Sequence, residues 1–290
     1  YGNANGSSAP TNQGGGVSST NTNLVLINCT AYNNSATFVG GGWIYGTNTN
    51  CTAYNNSAIS GGGWINGTNT NCTAYNNSAT SGGGWYNGTN TNCTAYNNSA
   101  TSGGGWINGT NTNCTAYNNS ASDGGGWVYG TNTNCECINN KGNTSIYIGS
   151  LNCSSVNCLA INNKTTANQI AGISNASSSY IYKFRNNVYD CPNPILSGGE
   201  GSDIDLTSCK PNITLNDVKI EVPSFVGLAV NDTQLQELKD FATNIITHLK
   251  PKAGSILKGA GINNTTYSNP TDFAGIVRPA ACTVGILEGE

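Results

Sequence analysis

The residues with the clearest chemical meaning in this sequence are asparagines in the tripeptide Asn-x-Ser/Thr, the acceptor of N-linked sugars. A regular unit holds three of them, as Asn-Cys-Thr, Asn-Asn-Ser and Asn-Gly-Thr. We expect a minority to carry a glycan, because this composition also creates the tripeptide by chance and repetition copies it. The candidate acceptors are Asn66, Asn71, Asn76, Asn87, Asn92, Asn97, Asn108, Asn113, Asn118, Asn143, Asn163, Asn175, Asn212, Asn231 and Asn264.

Cysteine supplies the second chemical pattern. An even, high count indicates disulfides in an exported protein, and stacked neighbours in a β-ladder would place their Cα atoms about 5 Å apart, within disulfide range. The alternative is a buried column of free thiols. The wide spacing and the single histidine argue against zinc, and Cys191 with Cys209 is the expected irregular pair. The twelve candidates are Cys29, Cys51, Cys72, Cys93, Cys114, Cys135, Cys137, Cys153, Cys158, Cys191, Cys209 and Cys282.

Acids and bases are scarce. Charged residues make up 9% of the chain, and Asp123 is the first of them. Lyases and hydrolases need clustered carboxylates or bases, so we predict no catalytic residue, no cofactor and no enzymatic activity. Asp203 and Asp205 lie in an acidic, glycine-rich stretch that could bind calcium. A solvated loop is the preferred interpretation of that stretch.

Aromatic residues recur as regularly as the cysteines. Trp64 and Tyr75 each have an equivalent in the neighbouring units, and such columns could serve as platforms on which sugars stack. Packing is the better interpretation for the tryptophans, because few other large apolar residues are present to fill a coil. We expect the tyrosine column to be exposed.

These residues share a period of 21, which indicates a solenoid. The glycine, asparagine and threonine content excludes helix. Two strand-like stretches occur in each unit, around Thr-Asn-Cys-Thr-Ala-Tyr and Trp-Ile, with Asn-Asn-Ser-Ala and Gly-Gly-Gly at corners. A coil of this length accommodates three short strands, with identical residues about 4.8 Å apart from coil to coil. The prediction is an all-β, right-handed parallel β-helix with about 21 residues per coil.

Three regions follow from the change in pattern. Residues 1–20 read as an N-terminal arm, either flexible or bound to a partner. Residues 21–225 read as the β-helix, regular to about 135 and degenerate afterwards, with strand again over 213–222. In residues 226–290, Thr233 and Gln236 suggest a capping box that opens a helix, which Pro251 ends. The apolar stripe of this helix is expected to cover the end or flank of the solenoid; binding a partner is the alternative.

The chain resembles a known group of surface proteins. Asn-Asn-Ser-Ala-x-x-Gly-Gly-Gly-x-Ile, together with Phe184 to Asn187, is similar to the F-x-x-N and G-G-A-I repeats of polymorphic outer membrane proteins and related right-handed β-helices. Residues 254–261, 271–279 and 284–288 are similar to the terminal motif of many bacterial surface β-helices. In the regular coils, alanine and tryptophan stand where that family has phenylalanine and alanine. The resemblance implies the fold and says little about function.

The composition limits the classes of partner that the protein is expected to bind. The net charge of −3 without a basic cluster argues against a nucleic-acid partner, and no apolar run approaches the roughly 20 residues that span a bilayer. The sequence has no methionine, so we expect Tyr1 to follow either a removed secretion signal or a truncation.

The predicted protein is secreted or displayed at the cell surface. Its predicted role is structural or adhesive, as a glycosylated subunit of a filament, fibre or sheath. Its expected partners are further copies of itself, joined head to tail, and possible alternatives are glycans or other surface proteins. The first alternative function is a carbohydrate-binding or carbohydrate-cleaving β-helix. The second is an ice-binding solenoid, because Thr-Asn-Thr repeats give rows of threonine.

Overall fold

The computed structural model describes twelve stretches of the chain, which form a parallel β-solenoid with three short helices. The predicted fold class is therefore confirmed. A regular coil contributes one short strand to each of four sheets, one more than the three strands expected, because Ser-Ala-Thr-Ser forms a strand and not a corner. The described residues are 15–18, 24–142, 150–151, 154–165, 173–175, 183–185, 187–189, 195–196, 203–205, 208–223, 231–261 and 271–288.

Two of the sheets contain nine parallel strands each. The tryptophan sheet consists of β1 (Val17–Ser18), β4 (Trp43–Ile44), β8 (Trp64–Ile65), β12 (Trp85–Tyr86), β16 (Trp106–Ile107), β20 (Trp127–Val128), β24 (Ser150–Leu151), β28 (Ile173–Asn175) and β31 (Ile195–Leu196). The threonine sheet consists of β2 (Val25–Ile27), β5 (Thr47–Thr49), β9 (Thr68–Thr70), β13 (Thr89–Thr91), β17 (Thr110–Thr112), β21 (Thr131–Thr133), β25 (Ser154–Val156), β29 (Lys183–Arg185) and β32 (Asp203–Asp205).

The other two sheets contain eight and six strands. The tyrosine sheet consists of β3 (Thr30–Tyr32), β6 (Thr52–Tyr54), β10 (Thr73–Tyr75), β14 (Thr94–Tyr96), β18 (Thr115–Tyr117), β22 (Glu136–Ile138), β26 (Leu159–Ile161) and β30 (Val188–Tyr189). The serine sheet consists of β7 (Ser57–Ser60), β11 (Ser78–Ser81), β15 (Ser99–Ser102), β19 (Ser120–Asp123), β23 (Lys141–Gly142) and β27 (Lys164–Thr165).

Left-handed backbone at the corners turns the chain from one sheet to the next. Asn71 has a φ of 52° and Asn76 a φ of 53°, one on each side of the Thr-Ala-Tyr strand. Asparagine adopts this region at lower cost than most residues, and glycine at none. Gly67, with a φ of 87°, follows Asn66 at a third corner. The repeated asparagines and glycines are therefore explained first by the turns.

The helices lie in the C-terminal part of the chain, where we call the described residues of 211–288 the cap. They are α1 (Leu215–Val218), α2 (Asp232–Thr243) and α3 (Ile245–Leu249). The capping box that opens α2 is Asn231 with Gln234, two residues before the predicted Thr233 and Gln236. Helix α1 replaces the strand predicted over 213–222. Residues 15–18 of the predicted arm belong to the solenoid, because β1 pairs with β4.

The cap lies on the outer face of the tyrosine sheet, along the flank of the solenoid, and its first residues reach the last described strand of that sheet, where the amide of Ile213 donates to the carbonyl of Tyr189. Along this sheet the outward residues change from threonine and tyrosine to Ile138, Leu159 and Ile161, all buried. They form one apolar cluster with Leu238 and Phe241 of α2. The solenoid interior is a separate cluster made of tryptophan, cysteine and alanine.

Candidate functional surfaces of the solenoid

The tryptophan column is a packing element. Trp64, Trp85 and Trp106 are fully buried, and successive rings stack with centroids 4.7–4.8 Å apart. The interpretation of these residues as packing is confirmed, and a role as sugar platforms is excluded by their burial. In the described part of the chain the five indole N–H groups of this column have no acceptor, which is a cost that the burial must offset.

Two asparagine ladders run inside the solenoid. In the first, the Nδ2 of Asn69 donates to the Oδ1 of Asn90 at 2.8 Å, and the pattern continues along the threonine sheet. In the second, the Nδ2 of Asn77 donates to the Oδ1 of Asn98 at 3.0 Å and to the carbonyl of Ala53. Buried amides need such partners. The inward asparagine leaves only threonine on the outer face of each Thr-Asn-Thr strand.

The cysteine column lies beside these ladders as free thiols. All ten described cysteines are unbridged, which matches the alternative interpretation, and Cys153 and Cys191 lie outside the described residues. Burial raises the pKa of Cys135 and of Cys158 well above that of an ordinary thiol. The thiol of Cys93 contacts the carbonyl of Thr91 at 3.3 Å. These groups act as small apolar fillers with weak donors.

The tyrosine column differs from the expectation of exposure. Tyr54 and Tyr75 are half-buried, whereas Tyr96 and Tyr117 are buried beneath the cap. Successive rings stack face to face, for example Tyr54 on Tyr75 at 4.8 Å with planes 5° apart. Because each ring face is covered by the next ring, only ring edges point outward. A sugar would need an open face, so this column is unsuited to that role.

The predicted glycosylation sites fall into three corner columns with unequal exposure. The members of the Asn-Gly-Thr column, Asn66, Asn87 and Asn108, are half-buried. In the columns that border the tyrosine sheet, Asn71 is exposed. Asn76, Asn92 and Asn97 of the same two columns are half-buried.

Three of the predicted acceptors are fully buried. Asn113 and Asn118 lie under the cap, and the Nδ2 of Asn113 donates to the carbonyl of Thr271 at 3.0 Å. Asn163 is an internal ladder residue that accepts from Asn140. A glycan on any of these three is incompatible with this fold.

The remaining predicted acceptors lie outside the regular coils. Asn212 and Asn231 are exposed, and Asn231 is the N-cap of α2. Asn175 lies in β28, but its side chain is outside the description. Asn143 and Asn264 fall outside the described residues.

A buried ion pair organises the terminal motif. Arg278 is 2% exposed, and its Nη1 donates to the Oε1 of Glu288 at 2.7 Å and to the carbonyl of Thr283. Asp272, the acidic residue at the start of the same motif, accepts from the backbone amides of Ile276 and Glu288. This motif shapes the loop that docks on the solenoid.

A buried carboxyl group connects that loop to the coils. Glu136, which follows Thr115 in the column, accepts from the amide of Ile286 at 3.1 Å through its Oε1, and its Oε2 is buried without a partner. Gly285 has a φ of 102°, which favours glycine, and a Cβ there would also collide with this carboxyl group. Burial raises the pKa of Glu136 to about 8, although Ile286 and Arg278 oppose the shift. This residue is neutral over much of the physiological range.

A cavity of about 510 Å³ lies beside α2, and its lining includes Glu221, Asp240, Phe241 and His248. Glu221 pairs with Lys252 and with the Nδ1 of His248, and these contacts hold its pKa below the usual range. A carboxylate kept ionised in this way is a poor general acid.

The two calcium candidates lie next to basic residues in the threonine sheet. Asp203 and Asp205 lie in β32, in register with Lys183 and Arg185, and their side chains are outside the description. Within the described stretches, no group of three or more histidine, cysteine, aspartate or glutamate side chains could hold a metal ion.

A scan against protein-family models finds no match to this chain, and a search of curated proteins finds no relative. None of the described helices has the length and apolar character needed to cross a bilayer.

Proposed function

We propose that this chain is a secreted structural or adhesive protein and a glycosylated subunit of a surface filament, fibre or sheath. The proposal rests on one observation: the regular coils before Asp123 repeat in register, and their outer surface carries no charged side chain. Thr68, Thr89 and Thr110 lie next to one another on successive strands, and residues 24–122 contain no charged side chain. Such a surface repeats the same contacts at regular intervals and has no group for acid–base chemistry.

The resemblance to polymorphic outer membrane proteins supports this proposal at the level of class. That group displays parallel β-helices at the cell surface, and this chain shares its glycine corners and its terminal Arg278 motif. The cap built around that motif closes one flank of the solenoid. This leaves the remaining outer faces for display.

Head-to-tail association is the second part of the proposal. At the first described coil, a cavity of about 270 Å³ is lined by residues that include Leu26, Cys29 and Trp43. Strand edges and apolar side chains at the end of a solenoid invite pairing with another chain. A second copy stacked on this end would continue the ladders, and such a contact need not close into a ring.

The test is electron microscopy of the native material together with light scattering of the full chain over a range of concentrations. We expect filaments, and a mass that grows with concentration. Leu26→Lys, which places a charge in the end cavity, should stop the growth, whereas Lys239→Gln on the cap should not. A full chain that stays monomeric at high concentration would refute assembly.

Ice binding is a second candidate, favoured by the inward asparagines of the threonine sheet. They leave two columns of threonine, such as Thr89 and Thr91, on a regular outward lattice about 4.8 Å by 6.7 Å. Thermal hysteresis of the unglycosylated chain tests this candidate. It should vanish in Thr89→Lys and persist in Thr80→Lys on the serine sheet, and its absence from the parent chain would reject the idea.

A further inference from the structure

We propose that N-linked oligosaccharides occupy the uncapped strip of the tyrosine sheet and that the cap excludes them from the rest of it. The uncapped strip is bordered by the exposed asparagines Asn28, Asn33, Asn50, Asn55 and Asn71, each two residues before serine or threonine. This inference rests on the proposed glycoprotein character and deepens it, because it names which repeats are modified.

Exposure changes steadily along the column at the start of each Thr-Ala-Tyr strand. Asn50 and Asn71 are exposed, Asn92 is half-buried and Asn113 is fully buried. All four belong to the same Asn-Cys-Thr tripeptide and have the same left-handed backbone, with φ between 51° and 53°. The tripeptide and local conformation are therefore constant, and only the cover differs.

The column at the end of each strand behaves in the same way. Asn55 is exposed, Asn76 and Asn97 are half-buried, and Asn118 is fully buried, all within Asn-Asn-Ser. Later members also use their amides in a ladder, since the Nδ2 of Asn97 donates to the Oδ1 of Asn76 at 2.6 Å. Both borders of the sheet therefore change from open to closed in the same direction.

The cap is the cause of this change. The hydroxyl of Tyr117 donates to the carbonyl of Leu238 at 3.0 Å, and the ring of Phe241 meets Tyr117 edge-on at 4.7 Å. Lys239 reaches back over the ring of Tyr75, which marks the limit of the cover. Asn118 follows Tyr117 directly and is fully buried, so a sugar has no room there. A sugar on Asn113 would displace Thr271.

The modification is a group transfer from a lipid-linked oligosaccharide diphosphate. A bond forms between the asparagine Nδ2 and the sugar C1, the bond from C1 to the diphosphate oxygen breaks, and the amide loses one proton. Neighbouring corners are about 4.8 Å apart, so one oligosaccharide screens the next acceptor. We therefore expect partial occupancy along the strip and none at Asn113 or Asn118.

The proposed arrangement covers the whole sheet by two means. The cap buries the apolar residues from Tyr96 onward, and glycans would screen the half-buried edges of Tyr32 and Tyr54. A face without charge lacks the electrostatic repulsion that helps to keep proteins apart. Glycans on this strip would also direct any self-association to the end of the solenoid.

The experiment uses the full chain secreted from a eukaryotic host. Glycans are released in heavy-oxygen water by an amidase that converts modified asparagine to labelled aspartate, and the sites are mapped by mass spectrometry. We expect labels among Asn28, Asn33, Asn50, Asn55 and Asn71 and none at Asn113 or Asn118. Equal labelling of the covered and uncovered sites would overturn this inference alone, and so would labels confined to the Asn66 column. Absence of any label would overturn the glycoprotein proposal as well.

A matched pair of variants removes only the acceptor hydroxyl and leaves the turn asparagines intact. Ser57→Ala disables the Asn55 site, and Ser120→Ala disables the Asn118 site. The occupancy at residue 55 should fall to zero in the first variant, whereas the second should leave the intact mass unchanged apart from the lost oxygen. A loss of one glycan in Ser120→Ala would contradict the proposal.

Discussion

The regular coils and the cap interface are stabilised in opposite ways. In the coils every contact is repeated, so that Trp85 stacks on a tryptophan above and another below. At the cap, contacts occur once, as with Arg278 and Glu288 or with Tyr117 and Leu238. Because the contacts repeat, we expect a substitution in the interior to cost less stability in a terminal coil than in a middle one. The cap depends for its stability on a few residues, because each of its contacts occurs only once.

The sheet that belongs to both regions shows where the change occurs. The strand Thr115–Tyr117 is followed in register by Glu136–Ile138 and then by Leu159–Ile161. In these three strands the inward position stays small, as alanine or cysteine, while the outward positions beneath the cap become apolar except at Glu136. The inner face of these strands therefore packs in the coil interior, and their outer face packs against the cap.

The largest expected effect comes from removing a ring in the middle of the tryptophan column. Trp85→Ala deletes a fully buried side chain and both of its stacking contacts, so we expect a loss of about 4 kcal/mol in the free energy of unfolding. Denaturant unfolding followed by circular dichroism measures it.

The matched control is Trp43→Ala, at the first described coil that carries tryptophan. Trp43 stacks on Trp64 at 4.8 Å, and the end cavity lies beside it. Its loss should therefore cost less than that of Trp85. Equal losses at the two positions would show that the coils do not unfold from their end.

The next effect should be confined to the cap. Arg278→Ala leaves Glu288 buried without its partner and orphans the carbonyls of Thr283 and Gly285, a change that costs about 3 kcal/mol. Hydrogen exchange should rise in the cap and stay unchanged in the coils before residue 113. Lys252→Ala, at an exposed pair with Glu221, should change little. Increased exchange throughout the coils would contradict the independence of the two regions.

Much of the coil was predictable from the sequence. A fixed period of 21 with glycine and asparagine at the turns leaves few arrangements besides a solenoid. Burial of the tryptophans followed from the scarcity of other large residues. The fourth strand was missed, because Ser-Ala-Thr-Ser has no strong strand former and gains its ladder only from neighbouring coils.

The cap was predictable only in part. The apolar stripe of its helix could be predicted from the sequence. The place where the helix packs on the solenoid could not, because that contact depends on outward residues spread over distant coils. Glu136 gave one signal, as a lone acid in a column of threonine, and it was not recognised as a contact. The burial of Asn113 and Asn118 could not be read from tripeptides identical to exposed ones.

A third prediction concerns pH and the carboxyl group that joins the two regions. Burial raises the pKa of Glu136 from its usual 4.5 to about 8 in the folded protein. The stabilisation from the proton is therefore complete below pH 4.5 and is lost as pH rises to about 8. Stability should fall by about 1.4 kcal/mol per pH unit in this window. Arg278 is the charged group that faces this carboxyl and opposes the shift.

Glu136→Gln keeps the shape and removes the titration. In this variant the free energy of unfolding of the cap should no longer fall between pH 4.5 and 8. In Glu237→Gln, on the exposed side of α2, it should still fall. Exchange rates corrected for intrinsic pH dependence provide the measurement. A slope that persists in Glu136→Gln would assign it to other groups and remove this residue from the docking contact.

The smallest expected effect is that of a reducing agent on the coils. Disulfides between neighbouring coils would each close a loop of about 20 residues and contribute about 3 kcal/mol. The column geometry disfavours them, because adjacent strands hold equivalent side chains about 4.8 Å apart, whereas bridged Cβ atoms lie about 3.8 Å apart. The ten described cysteines form no disulfide, so reduction should leave the unfolding of the coils unchanged.

Thiol titration in denaturant without reductant should find at least ten of the twelve cysteines reactive. Native labelling should begin at Cys29, which is half-buried at the first coil, and reach Cys93 only after the coils open. A titration that finds few thiols, together with a large loss of stability on reduction, would mean that the coils are locked covalently. The coils would then differ from the cap because disulfides stabilise them, and not because their contacts repeat.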